Sequence, residues 1–142
     1  MKVISVDDER LILEDFVEML EEMKEIDEVK GFTSCSEAFE YIKKEHVDVA
    51  FLDIHMREMS GIELAKKIKI ARPQVNIIFL TAYDEYTMDA MKLHASGYLM
   101  KPADEDAVRE ELHRKFLSIE ARQRIVLIRH TLPLKKIGRA HV

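Results

Sequence analysis

The chain has 142 residues, enough for one domain with a hydrophobic core plus a short further segment, and its 47% hydrophobic and 35% charged content excludes a disordered chain. One cysteine, Cys35, excludes an intrachain disulfide, no apolar run approaches a membrane span, and the start MKVISVDDER lacks the charged-then-apolar layout of a signal peptide. A cytoplasmic protein without membrane contact is expected, and the acidic balance of residues 1–120, 16 Lys/Arg against 27 Asp/Glu, argues against direct nucleic-acid binding by the body.

Along the chain, Lys2 to Val6 is a short apolar run that stops at Asp7-Asp8-Glu9 and reads as a buried strand. From Leu11 to Met23, apolar residues at Leu13, Phe16, Val17, Leu20 and Met23 make one helical face. Val29 to Phe32 is a second strand. Ser34-Cys35-Ser36-Glu37 has the Ser-x-x-Glu pattern of a capping box, opening a helix with Ala38, Phe39 and Ile42 inward. Val47 to Leu52 is a third strand, ending at Asp53. Ser60-Gly61-Ile62-Glu63 is a second capping box, before a helix with Leu64, Ala65, Ile68 and Ala71 that Pro73 stops. Val75 to Leu80 is a fourth strand, ending at Thr81. A helix over 85–93 with Met88 and Met91 inward, a fifth strand over Gly97 to Met100 ending at Lys101-Pro102, and a helix over 104–117 complete the pattern. Five strand–helix units in strict alternation predict an α/β fold, a doubly wound five-stranded parallel sheet.

In such a sheet, ligands bind beyond the carboxyl ends of the strands. Asp7, Asp8, Asp53, Thr81 and Lys101 stand at those ends. Crowded carboxylates repel one another unless a cation lies among them, and an all-oxygen donor set with room for water favours Mg²⁺. A carboxylate in that setting can act as a nucleophile toward phosphorus, with Lys101 and the Thr81 hydroxyl placed to hold phosphoryl oxygens. Taken singly, each residue has an ordinary reading: Asp7-Asp8 as the acidic start of a helix, Asp53 as a turn, Thr81 as a loop hydroxyl, Lys101 as a solvated lysine. Their coincidence at one sheet edge carries the functional reading. The histidines, His46, His55, His94, His113, His130 and His141, show no metal-ligand spacing.

The stretches VDDE at 6–9, FLDIHM at 51–56, MSGIELA at 59–65, FLTAYDEY at 79–86 and GYLMKP at 97–102 together resemble the receiver domain of bacterial two-component response regulators, with its flavodoxin-like fold, over residues 1–118. The resemblance implies that Asp53 is the phosphoacceptor, that Asp8 binds Mg²⁺ directly and Asp7 through water, and that the His55 backbone carbonyl is a further ligand. It implies a switch pair, Thr81 and Tyr98, and a cis Lys101–Pro102 peptide that aims the lysine. It implies a sensor histidine kinase as partner, and a homodimer through the 85–118 face on phosphorylation. The chain is then a signalling switch that catalyses only its own phosphorylation and dephosphorylation. Receivers commonly carry proline four positions after the phosphoacceptor; Arg57 stands there, so a less fixed loop backbone is expected. A haloacid-dehalogenase-type phosphatase needs an Asp where His55 stands, and a flavodoxin needs a hydroxyl- and glycine-rich loop where Asp7-Asp8-Glu9 stands.

Residues 121–142 hold six Lys/Arg and no Asp or Glu, leaving 16 basic and 27 acidic residues in 1–120. Residues 119–136 are expected to be a linker or the start of a lost effector, of LytTR type or a winged helix with a helical-repeat extension, through which alone the protein would bind DNA. A stand-alone receiver is the alternative. The final IGRAHV matches one reading frame of a widely used short-read sequencing adapter, so 137–142 are expected to be non-native.

Overall fold

Strands that carry apolar residues on both sides are stable only where helices cover both faces of their sheet. The computed structural model, which describes residues 1–82 and 97–114, has that arrangement. In chain order come β1 (Lys2–Val6), α1 (Arg10–Glu21), β2 (Glu28–Phe32), α2 (Cys35–Lys44), β3 (Val49–Leu52), α3 (Gly61–Ala71), β4 (Asn76–Thr81) and β5 (Gly97–Met100). A closing helix follows at 105–114. All strand pairs are parallel, in the order β2-β1-β3-β4-β5, so the expected doubly wound α/β sheet is the observed one. The helix expected over 85–93 and all of 115–142 lie outside the described residues. Among the described residues, no helix is long and apolar enough to cross a membrane.

The register explains the two-sided core. Ile4, Ala50 and Ile77 stand abreast, with Val6, Leu52 and Phe79 two residues on, and this face packs against α2 and α3. The intervening residues, Val3 and Val49, then Phe51 and Ile78, turn to α1 and the closing helix, where Phe16 meets Phe51 edge-on at 5.3 Å between ring centroids. The edge strands β2 and β5 are only partly buried, as expected of strands with one neighbour.

Several element ends differ from the periodicity. Helix α1 stops at Glu21, where the N–H groups of Glu22 and Met23 donate to Met19 and Leu20; Met23 reaches the core from beyond the helix. Strand β3 starts at Val49 because Asp48 is engaged at the sheet's other end, its carboxylate accepting from Lys2 N–H at 2.7 Å. Ala71 is exposed rather than inward, and Phe39 is half-buried, packed against the core. At α2, the Ser34 hydroxyl accepts from Glu37 N–H, and Glu58 closes the same terminus, taking the Cys35 N–H at 2.9 Å and the Ser36 hydroxyl. At α3 the full capping box forms between Ser60 and Glu63.

Gly61 sets how closely α3 approaches β3. Its N–H donates to Ile54 C=O at 2.8 Å, and a Cβ there would fall on the Asp53 carbonyl oxygen and within 3.0 Å of the Ile54 Cα. Backbone cannot yield as a side-chain tip does. Replacing Ser60 by Ala is therefore predicted to cost about 1 kcal/mol for the lost cap. Gly61→Ala is predicted to cost about 3 kcal/mol as overpacking. Paired thermal melts test this ordering; equal melting points for the two variants would contradict it.

Candidate functional site

With the order β2-β1-β3, the chain leaves β1 toward one edge and β3 toward the other, so a crevice opens between their carboxyl ends. The ladder runs one residue past each strand: Asp7 N–H donates to Phe32 C=O at 3.1 Å, and Asp53 N–H to Val6 C=O at 3.0 Å. Both aspartates are thereby fixed at the mouth of the crevice on regular backbone. Asp7, Asp8 and Asp53 each offer a carboxylate oxygen within 4.8 Å of the others. Asp7 and Asp53 are buried, at 4% and 7% exposure, and Asp8 is half-buried.

Lys101 brings the balancing charge from the end of β5. Its N–H donates to Thr81 C=O at 2.7 Å, and its peptide bond to Pro102 is cis. The ammonium lies 2.7 Å from Asp7 Oδ2 and 3.5 Å from Asp53 Oδ1. Burial alone would lower the Lys101 pKa, but the Asp7 hydrogen bond and the charges of Asp53 and Asp7 outweigh it and hold the group above its usual value. Asp53 moves the other way. Burial pushes its pKa up to about 6, and the neighbouring Asp7 charge adds to that; Lys101 and a backbone hydrogen bond from His55 oppose it.

Asp7 also takes on the helix-start role, its Oδ1 accepting from Glu9 N–H at 2.9 Å, while the N-cap residue Glu9 makes no side-chain cap. Asp8 turns to the β3–α3 loop. Its Oδ2 accepts the Arg57 N–H at 2.8 Å and lies 3.3 Å from Arg57 Nε. The loop expected to be less fixed for want of proline is thus held by a donor that proline lacks, and by Glu58 at the terminus of α2.

Thr81, the last residue of β4, is fully buried. Tyr98 stands opposite Phe79 on β5, and so shares a sheet face with Thr81 on the adjacent strand. It is half-buried against the α2–α3 core, and its N–H donates to Glu111 Oε2 at 3.1 Å. The His55 side chain is exposed. Of the face expected for self-association, Tyr86, Met88, Lys92 and His94 lie outside the described residues. Sequence reasoning did not find the contacts of Arg57 and Glu58. In the sequence Arg57 stands out only for the proline it replaces, and no local pattern points to Glu58.

The donor set fits Mg²⁺: oxygen ligands only, more negative than Lys101 alone can neutralise, in a site still partly open through Asp8. Asp7, Asp8 and Asp53 would hold it.

A model of the response regulator receiver domain matches residues 3–113. The chain is 36% identical over 130 residues to the sensory transduction protein LytT of Bacillus anthracis, covering 88% of this chain and 52% of that one. It is 39% identical over 115 residues to the transcriptional regulatory protein BtsR of Escherichia coli, covering 80% of this chain and 47% of that one. The chain thus spans about half the length of the curated relatives it matches. Among solved structures, a CheY-like receiver domain protein from Methanospirillum hungatei aligns with a TM-score of 0.77 at 28% identity, over 85% of this chain and 97% of that one. TrrA of Thermotoga maritima, solved in complex with Mg²⁺ and BeF, aligns with a TM-score of 0.72 at 31% identity, over 80% of this chain and 97% of that one. The chain belongs to the response regulator receiver domain family.

Proposed function

We propose that this receiver takes a phosphoryl group onto Asp53 from a phosphohistidine of a sensor histidine kinase, with Mg²⁺ at Asp7, Asp8, Asp53 and the His55 carbonyl. The observation that carries the reading is the meeting of three carboxylates and one half-buried ammonium in the crevice between β1 and β3. A nucleophilic carboxylate, a metal site and a cation for phosphoryl oxygens are the parts such a transfer needs. The Mg²⁺–BeF complex of the related TrrA supports the metal and the phosphoryl site together.

In the transfer, an Asp53 carboxylate oxygen attacks phosphorus. The new P–O bond forms as the P–N bond to the kinase imidazole breaks, and that electron pair returns to the ring nitrogen. Bound Mg²⁺ supplies charge neutralisation for the phosphoryl oxygens. The Lys101 ammonium, already 3.5 Å from Asp53, exchanges part of its carboxylate contact for a phosphoryl oxygen. The Thr81 hydroxyl donates to another, and Tyr98, on the same sheet face, fills the space that Thr81 vacates. The switched surface, 85–118, then pairs two copies and controls a DNA-binding effector beyond residue 118. Relatives about twice as long, named as sensory transduction and transcriptional regulatory proteins, favour an attached effector over a stand-alone receiver.

Acetyl phosphate with Mg²⁺ is predicted to label the protein with acid-stable, base-labile phosphate, and Asp53→Asn to abolish the label. Labelling of the variant at the parent's level would refute the assignment.

The ionisation of Asp53 gives a second test. Its folded pKa, about 6, lies above the ordinary value of 3.8, so the fold favours the protonated form. That contribution is present below the ordinary value and is lost as pH rises through the folded one. Without metal, Asp53→Asn is therefore predicted to melt higher than the parent at about pH 8, the gap closing as pH falls through about 6 toward about 4. Melts across that range that show no gap, or a reversed one, would contradict the burial argument.

A further inference from the structure

Asp8 carries two contacts from one residue. Its Oδ2 accepts the Arg57 backbone N–H at 2.8 Å and lies 3.3 Å from the Arg57 Nε. The backbone contact belongs to the loop and remains whatever the side chain does. The guanidinium contact is of another kind, because the Arg57 side chain is 89% exposed and rests on Asp8 from the solvent side. The loop does not depend on it for its position: Glu58, the next residue, is tied to the start of α2 through Cys35 N–H and the Ser36 hydroxyl, and Gly61 N–H donates to Ile54 C=O.

The three carboxylates then divide between two internal cations. Lys101 serves Asp7 and Asp53, and Arg57 serves Asp8. Lys101 is half-buried and, on the proposed function, holds a phosphoryl oxygen; Arg57 is exposed and can swing away at little cost. A divalent cation on Asp8 would meet the guanidinium as a like charge across the same carboxylate.

We propose that Arg57 is a displaceable internal cation that tunes the divalent affinity of this receiver, its guanidinium competing with the metal for Asp8 while its backbone N–H keeps Asp8 oriented. This rests on the reading of Asp8 as a metal ligand. The guanidinium lowers metal affinity by the worth of an exposed ion pair, about two- to fivefold, and screening by salt reduces that effect. Proline at this position would remove both contacts. Glutamine removes the charge and keeps the N–H.

The test is calorimetric titration of the whole chain with Mg²⁺ alone, for the parent, Arg57→Gln and Arg57→Pro. It is run at about 0.1 M and about 1 M salt, where the screening lengths are about 10 Å and about 3 Å. Arg57→Gln is expected to bind Mg²⁺ about two- to fivefold more tightly than the parent at the lower salt, with the ratio falling toward one at the higher. Arg57→Pro is expected to gain less than Arg57→Gln, because Asp8 loses its backbone donor. An Arg57→Gln affinity equal to or weaker than the parent's, or a gain that salt leaves intact, overturns the competition. So does a proline variant that gains as much as the glutamine one, which would assign no role to the N–H. A parent that takes up no Mg²⁺ instead overturns the metal reading itself, which separates the two failures.

Discussion

Everything in this molecule's site follows from the cost of holding three carboxylates within 4.8 Å of one another at the edge of an apolar sheet. The fold meets that cost with charge brought from elsewhere in the chain. Lys101 arrives from β5, far along the sequence from Asp7, and Arg57 from the loop after β3. Even so, Asp53 remains under pressure, as its raised pKa shows: burial and the Asp7 charge together exceed what Lys101 returns. Three carboxylates set against Lys101 and Arg57 leave the site only partly compensated, as an all-oxygen cation site would be. On the proposed reading, affinity for a divalent ion and reactivity of the carboxylate share this physical origin.

Such a site also needs a rigid frame, because mutually repelling groups move apart wherever backbone allows. Ladder hydrogen bonds continue through the amides of Asp7 and Asp53, so neither acid stands on a loose loop. Helix α3 is pressed onto the other side of β3, with Gly61 against the Asp53 carbonyl. The Asp8 side of the crevice is built from loop, and there the Arg57 amide and the Glu58 tether hold the backbone where receivers commonly carry proline. Two sheet faces, each with its own core, keep Thr81 and Tyr98 on one side of β4 and β5, the placement that the proposed switch requires.

Most of this was legible in the sequence, for a physical reason. Strands buried on both faces are continuous apolar runs, and the first polar residue after each run marks the sheet's edge. Asp7, Asp53, Thr81 and Lys101 could therefore be placed together without coordinates. The capping box at Ser60 is a local signal and formed as read; the one at Ser34 was read from the same pattern, but Glu58 shares that terminus. What sequence could not supply were pairings between distant loops. Arg57 and Asp8 are 49 positions apart, and Glu58 and Cys35 are 23 apart. No periodicity links such residues, so the sequence shows the replacement of proline by arginine but not the Arg57 N–H contact with Asp8 that comes with it. Ala71 misled for a simpler reason: helical spacing places it near the inner face, but it is the last residue of α3 and is exposed there.

The account stands or falls on Asp53 as the atom-level destination of the phosphoryl group. Borohydride reduces an acyl phosphate on aspartate to homoserine, which peptide mapping by mass spectrometry assigns to a single position. After treatment with acetyl phosphate and Mg²⁺, the account predicts homoserine at position 53 alone. Homoserine at position 7 or 8, or an unmodified peptide spanning 53 alongside phosphate bound elsewhere, would contradict it.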